Sequence, residues 1–330
     1  MTGRCGILGI VLAMAWGIGD LRAQGSVAYP GRAPGEAKAS IENGLIVLDN
    51  DVLKCTWVFR DGHLQRIHSI RAKNKPEYDH ELEIWQHFLL VLADGQILTV
   101  SDLGIVRGPE IEALAPDPQA QRLAARAGGK RIRVSLATAN ANLMVQWCVE
   151  LRDGSNYVRQ YLSLRPKTTD VDLREIVLIE ARATRPAGTL DGSPIITNPC
   201  DAGPVFFLGF EHPLAKTQVM PSSALRCSLP RTTPLKAGEE QTYSSVAGVA
   251  PQGQLRRAFL YYVERERAQP YRPFLHYNSW YDIGYGPEKI LESDALKVID
   301  LFGKELIERR KVTMDSFVLD DGWDDPATLW

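Results

Sequence analysis

Phe274-Leu275-His276-Tyr277-Asn278-Ser279-Trp280 and Met314-Asp315-Ser316-Phe317-Val318-Leu319-Asp320 are two short apolar runs of strand character, each closing on polar and aromatic residues. Between them Ala295, Ile299, Phe302 and Leu306 recur at steps of four, three and four, with Leu296 and Ile307 widening the stripe. That spacing is the apolar face of an amphipathic helix. Ser293 followed by Asp294 predicts an N-cap and a first-turn acid, and Arg309, Arg310 and Lys311 put positive charge where the helix dipole favours it. A strand–helix–strand crossover of this kind lays its strands parallel and adjacent, with both polar ends on one rim of the sheet.

On that rim α/β barrels and open parallel sheets bind their ligands, so Asn278-Ser279-Trp280 and Asp320-Asp321-Gly322-Trp323 are expected side by side at a mouth. Their chemistry suits a sugar. Ionised carboxylates accept charge-assisted hydrogen bonds from neighbouring hydroxyls, and an indole offers a flat apolar wall to the C–H face of a pyranose. Alone, Asp320-Asp321-Gly322-Trp323 reads equally well as an acidic turn closing a strand, with Trp323 packed in the core. One at each strand end favours a ligand site built from Asp320, Asp321, Trp280, Trp323 and Asn278.

The runs His276-Tyr277-Asn278-Ser279-Trp280 and Phe317-Val318-Leu319-Asp320-Asp321-Gly322-Trp323 resemble the first two barrel strands of the retaining α-galactosidase clan, which includes α-N-acetylgalactosaminidases and raffinose-processing relatives. In that clan the first strand ends in a Trp, often within Trp-Asn-Ser-Trp, and the second in Asp-Asp-(Gly or Cys)-Trp. The resemblance implies that Asp320 and Asp321 bind sugar hydroxyls at the non-reducing end, that Trp280 lines the same pocket, and that the substrate is an α-galactoside-type carbohydrate. Tyr277 stands where the clan often has Trp.

Met1 to Ala23 opens with Arg4, runs apolar from Ile7 to Ile18 and reaches Leu21-Arg22-Ala23, the pattern of a removed secretory signal. The apolar run is short for a membrane span. A secreted or periplasmic chain is expected, with no membrane association once the signal is gone. Its removal takes away Arg4, Arg22 and Asp20 from 38 basic and 40 acidic side chains, leaving a net charge of −3. Nothing in that balance attracts nucleic acid. Of the remaining cysteines, Cys55 and Cys148 lie in strand-like runs and read as buried free thiols, whereas Cys200 and Cys227 flank a loop-rich region and are the candidates for a bridge.

Residues 24–35 read as a flexible leader. From 36 to 268 the text is β. Leu45–Leu48, Val52–Phe59, Glu83–Leu92, Ile97–Val100, Arg131–Ala137, Val171–Ala183, Val205–Phe210 and Ala258–Val263 are strand-like, and Leu143–Leu151 with Tyr157–Leu164 form a hairpin around Asp153-Gly154. Only Pro118–Ala127 carries a short helical stripe. Many close strands without helices between them predict a large antiparallel β-sandwich, with Glu264-Arg265-Glu266-Arg267 as its exit linker. Residues 269–330 then begin a (β/α)8 barrel that is incomplete at Trp330, so the fold class is mainly β with a first β-α-β unit appended.

The six histidines include no i, i+4 pair, and Gly128-Gly129-Lys130 lacks the context of a phosphate loop, so neither a metal nor another cofactor is expected. Glu211-His212-Pro213 is able to do acid–base work but reads more simply as a surface turn. A retaining glycosidase needs two carboxylates about 5–5.5 Å apart across the scissile bond. Asp320 and Asp321 are chain neighbours whose side chains diverge, so no catalytic residue is assigned. In the resembling clan the nucleophile and the acid/base lie on later strands, and the chain is expected to be the front part of a longer enzyme, inactive alone. An open strand edge and an unmatched helix face would call for a partner, a second copy of the chain among the candidates. The competing readings are a secreted carbohydrate-binding sandwich without turnover and a structural sandwich with a vestigial tail.

Overall fold

A computed structural model describes residues 27–73, 80–182, 190–191, 195–198, 205–219, 224–284, 290–324 and 327. The chain divides into two compact units, Gly25–Pro270 and one containing Tyr271–Trp330. The larger unit begins with seven strands of one sheet: β1 (Lys38–Glu42), β2 (Leu45–Asp49), β3 (Leu53–Arg60), β4 (His63–Ala72), β5 (His80–Gln86), β6 (Leu89–Leu92) and β7 (Ile97–Thr99). Four strands of a second sheet follow: β8 (Gly104–Leu114), β9 (Gly129–Ala137), β10 (Leu143–Arg152) and β11 (Tyr157–Pro166). The chain then returns to the first sheet with β12 (Leu173–Arg182), to the second with β13 (Leu190–Asp191), β14 (Ile195–Asn198) and β15 (Val205–Phe210), to the first with β16 (Lys216–Val219) and β17 (Ala224–Pro230), and ends in the second with β18 (Gln241–Ala250).

Both sheets are antiparallel throughout, in the orders β1-β2-β3-β4-β5-β12-β17-β16, with β6 and β7 beside β12, and β13-β14-β15-β18-β11-β10-β9-β8. The expected sandwich is thus present, its core filled by side chains that alternate inward along each strand. In β3, Leu53, Cys55 and Trp57 face in, and in β9 Ile132, Val134 and Leu136 do. At the centre the Trp57 and Trp147 rings meet edge to face at 5.7 Å. The Trp147 indole N–H donates to Gln160 Oε1 at 3.0 Å, and the Gln160 amide donates across the sandwich to the carbonyls of His87 at 2.7 Å and Leu178 at 3.2 Å. The Trp147 indole and both ends of the Gln160 amide are used, which makes the network an inter-sheet register pin.

Several expectations are corrected. The run Glu83–Leu92 is two strands, because the chain leaves the ladder at His87, whose carbonyl is the acceptor for Gln160. Pro118–Ala127 contains only a 3₁₀ turn at Leu123–Arg126. Ala258–Val263 is helix, part of α1 (Leu255–Glu266). Leu255, Phe259, Tyr262 and Val263 fall on one face and pack against Tyr157, Phe207 and Val246 on the outside of the second sheet. A run of aromatic and β-branched residues carries both periods, and here the available apolar sheet face decides for the helix. The expected exit linker is the last turn of that helix. Glu266 is half-buried there, accepting from Tyr157 Oη at 2.6 Å and Arg159 Nη1 at 2.8 Å. Glu211, expected in a surface turn, holds the other side of Arg159 in a bidentate pair at 3.0 and 2.7 Å and accepts from Tyr262 Oη at 2.6 Å.

Cys227 is a free thiol buried in β17 rather than half of a bridge, and burial pushes its pKa up to about 12; Cys200 lies outside the described residues. Cys55 and Cys148 are buried free thiols, as their strand context implies. The expected signal at 1–23 also lies outside the described residues, and among those described no helix is long and apolar enough to cross a membrane.

The second unit contains β19 (His276–Asn278), α2 (Glu292–Phe302), continued by a π-helical turn over Gly303–Arg309, and β20 (Ser316–Val318). The strands pair in parallel, His276 with Ser316, Tyr277 with Phe317 and Asn278 with Val318. Tyr277 and Phe317 point to the helix, where the Phe302 ring lies 5.1 Å from Tyr277 and 6.1 Å from Phe317. The buried residues of α2 are Ala295 and Val298; Leu296, Ile299 and, in the π turn, Ile307 are exposed, so the buried stripe is narrower than the sequence spacing predicts. The helix starts two residues earlier than expected, with Leu291 rather than Ser293 at the N-cap and Glu292 and Asp294 in the first turn.

Gly248 in β18 lies under the Phe207 ring, where even a β-carbon would overlap the ring atoms. Gly248→Ala is expected to cost about 1–3 kcal/mol, the usual penalty for overpacking, read as a lower urea midpoint with an unchanged slope; an unaltered midpoint would contradict the packing of α1 on this face.

Candidate functional site

The candidate site is made where β19 and β20 end. Asn278 is the last residue of β19, and its side chain does two things at once. Its Oδ1 accepts from the backbone N–H of Trp280 at 2.8 Å, capping the 3₁₀ turn Ser279–Tyr281, and its Nδ2 donates to Asp320 Oδ2 at 2.9 Å. The cap fixes which way the amide faces, so the donor is aimed at the second strand before any ligand arrives. Asp320 is held from its own backbone as well: its N–H donates to Ser279 Oγ at 2.8 Å, and its Oδ1 accepts from the N–H of Asp321 at 2.8 Å. Ser279 is fully buried.

These contacts stabilise the ionised form of Asp320. The backbone N–H of Asp321, and after it the Asn278 amide, hold its carboxyl below the usual aspartate range. Each carboxylate oxygen still has a lone pair directed away from the protein donor it serves, which leaves acceptors for two hydroxyls. Asp321 is exposed beside it, and Gly322 follows with φ +100°, a conformation that glycine adopts without strain and that turns the chain back. The Gly322 carbonyl accepts from Ile290 N–H at 2.9 Å, which ties the rim to the entry of α2. Trp323, 48% exposed, stands after that turn.

The five residues expected to form the site therefore separate by how they are held. Asn278, Asp320 and Asp321 are joined in one chain of hydrogen bonds. Trp280 joins it through its backbone, with its side chain half-buried, and Trp323 contributes an exposed indole from the loop after β20. Ser279 is the member that the motif reading passed over. Its hydroxyl is the acceptor that locks the Asp320 backbone, and a serine at the end of a strand facing a second strand end is the only hint the sequence carries. Tyr277, in the position where tryptophan is frequent in the resembling clan, is buried and is not part of the rim; its hydroxyl donates to Asp282 Oδ2 at 2.7 Å, and burial raises its pKa to about 12. Among the described residues no group of three or more His, Cys, Asp or Glu side chains is placed to hold a metal ion. The rim can accept hydroxyl donors and offer apolar ring surface, and the Asp320 carboxylate is tied to the backbone of Asp321.

No protein-family model and no curated protein matches the sequence. Solved structures do match its fold. The GH36 α-galactosidase AgaB from Geobacillus stearothermophilus aligns over 88% of this chain and 50% of its own, with a TM-score of 0.52 and 15% identity. The galactosidase domain of the α-galactosidase–sucrose kinase AgaSK aligns over 88% and 51%, with a TM-score of 0.51 and 13% identity. A variant of the GH36 α-galactosidase AgaA from Geobacillus stearothermophilus, solved in complex with raffinose, aligns over 88% and 50% with a TM-score of 0.50 and 14% identity. At these identities the likeness establishes a shared fold, and the chain spans about half the length of the structures it matches.

The Asp320 carboxyl is expected to titrate below an unstructured aspartate, and because its folded pKa is lowered, its contribution to stability is present above the unfolded value and lost as pH falls through the folded one. Carbon-detected NMR of the carboxyl in the wild type and in Asn278→Ala measures this. The variant's titration should move up toward the ordinary value, and an identical midpoint in both would show that the Asn278 contact is not made.

Proposed function

We propose that this rim is part of the sugar-binding subsite of a secreted or periplasmic glycoside hydrolase of α-galactosidase type, and that the β19–α2–β20 unit is the beginning of its (β/α)8 barrel. The observation that carries the reading is the Asn278–Asp320 hydrogen bond, because it links the two strand ends into one preorganised acceptor set. The resemblance of both strand ends to the α-galactosidase clan and the fold shared with GH36 α-galactosidases, one of them solved with raffinose bound, support the same reading. The exposed Leu296, Ile299 and Leu301 on α2 are consistent with it, since in a closed barrel neighbouring helices cover such side chains.

In this reading Asp320 and Asp321 bind rather than react. Ionised carboxylates at the rim accept hydrogen bonds from adjacent hydroxyls of a terminal hexose, and Trp280 and Trp323 offer ring surface to its C–H face. Two adjacent hydroxyls that meet fixed acceptors are told apart from their epimers, since a misplaced hydroxyl leaves a desolvated acceptor unpaired. The bond-breaking pair of carboxylates that a retaining mechanism requires is not assigned to any residue of this chain.

Isothermal titration with methyl α-galactoside tests the assignment. The chain is expected to bind it, to bind the 4-epimeric methyl α-glucoside about tenfold more weakly or worse, and to lose at least about tenfold in affinity with Asp320→Asn, the loss typical of a charge-assisted hydrogen bond. Equal affinity for the two sugars, or an unaffected Asp320→Asn variant, would contradict it.

A further inference from the structure

The outer face of the second sheet is covered at one end only. Helix α1 packs on Tyr157, Phe207 and Val246, and beyond it the outward side chains of β9, β10 and β11 pass from buried at Cys148 and Glu150 to half-buried at Ser135, Gln146 and Ser163 and exposed at Arg165. Cross-strand pairing sets their order: Gln146 lies between Ser135 and Ser163, Cys148 between Arg133 and Tyr161, and Glu150 between Arg131 and Arg159. From Met144 to Glu150 this strip runs about 20 Å at the ordinary rise of a strand.

A cavity opens at each end of the strip. The one beside α1 is small, about 60 Å³, and there Glu150 pairs with Arg131 and Glu266 with Arg159, while Arg152 donates to the Ala127 carbonyl at 2.9 Å. The far one is about 470 Å³, within the range of small-molecule sites, and Ser135, Gln146, Ser163, Arg165, Lys167 and Glu240 line it. Among the described residues the Gln146 amide makes no hydrogen bond, and Arg165 and Lys167 have no carboxylate partner. The nearby Arg131 and Arg133 are neutralised by Glu112 and Glu150, so the surplus charge of the cavity is the two cations against Glu240. An unused amide, the Ser135 hydroxyl and the Ser163 hydroxyl, which also bonds Thr242 Oγ1 at 2.7 Å, stand beside a guanidinium and an ammonium and form a lining that hydrogen-bonds alcohols and pairs with carboxylates.

We propose that this open half of the sheet face binds an oligosaccharide carrying carboxylate groups, a uronate chain lying along β10 with one carboxylate between Arg165 and Lys167 and hydroxyls on Gln146, Ser135 and Ser163. Hydroxyl and amide groups set beside the apolar Met144 and Val145 suit a sugar, which carries both hydroxyls and C–H faces, and the unpaired cations select an acidic one. The site belongs to the sandwich alone and does not rest on the Asp320 rim.

The test is a titration of the full chain with trigalacturonate, its methyl ester, triglutamate peptide and acetate. The expected result is saturable binding of trigalacturonate, weakened about tenfold by Arg165→Ala and again by Gln146→Leu, lost on methyl esterification, not matched by triglutamate or acetate, and unaffected by Asp320→Asn. Both substitutions are at solvent-facing positions, and matched urea midpoints confirm that the variants remain folded. No binding of trigalacturonate, equal binding of its methyl ester or of triglutamate, or loss with Asp320→Asn but not with Arg165→Ala overturns the proposal.

Discussion

The parallel pairing of two three-residue strands is the constraint on which the site depends. Side chains alternate along a strand, so the register that sets Tyr277 opposite Phe317 and Asn278 opposite Val318 also decides which residues reach the rim. A slip of one residue would send Asn278 toward the helix and Tyr277 toward solvent. Two contacts oppose that slip. Tyr277, Phe302 and Phe317 form an aromatic cluster on the helix side, and Asn278, Ser279 and Asp320 form a hydrogen-bonded one at the strand ends. The first contributes apolar burial, the second geometry, and both require the same register.

A second constraint governs the sandwich. Arg159 on β11 holds Glu211, just past β15, and Glu266, at the end of α1, while Tyr157 and Tyr262 satisfy the remaining carboxylate oxygens. Desolvating one guanidinium and two carboxylates is costly, and the paired geometry offsets that cost only when all members are present. Burial and the two carboxylates act on Arg159 in opposite directions, and the carboxylates prevail, keeping its pKa raised. The consequence is a defined end for the sandwich: the chain leaves it from a helix fixed to the sheet by charge and by the Phe207–Phe259–Tyr262 ring cluster.

How much of this could be read in the sequence depended on whether the deciding partner was local. Asp153-Gly154 marks its hairpin because positive φ is a property of the turn itself, and Gly154 adopts φ +75°. Val205–Phe210 is a strand with the bounds its apolar run predicts. The two strand ends of the site carry their meaning in adjacent residues, and they are adjacent in space. Ala258–Val263 was misleading because helix or strand there is decided by the apolar outer face of β15 and β18. Glu211 looked like a surface residue because its partner, Arg159, is distant in sequence. The free state of Cys227 has no local sign at all, and the role of Ser279 only its place at a strand end.

The most direct measurement of the central claim follows the indole N–H signals of Trp280 and Trp323, with the Asn278 side-chain amide, as methyl α-galactoside is added to the labelled chain. If the two strand ends form one subsite, all three signals shift along a single saturation curve, and the shifts vanish together in Asp320→Asn. Shifts confined to one strand end, or signals that do not move while the sugar binds elsewhere, would contradict it.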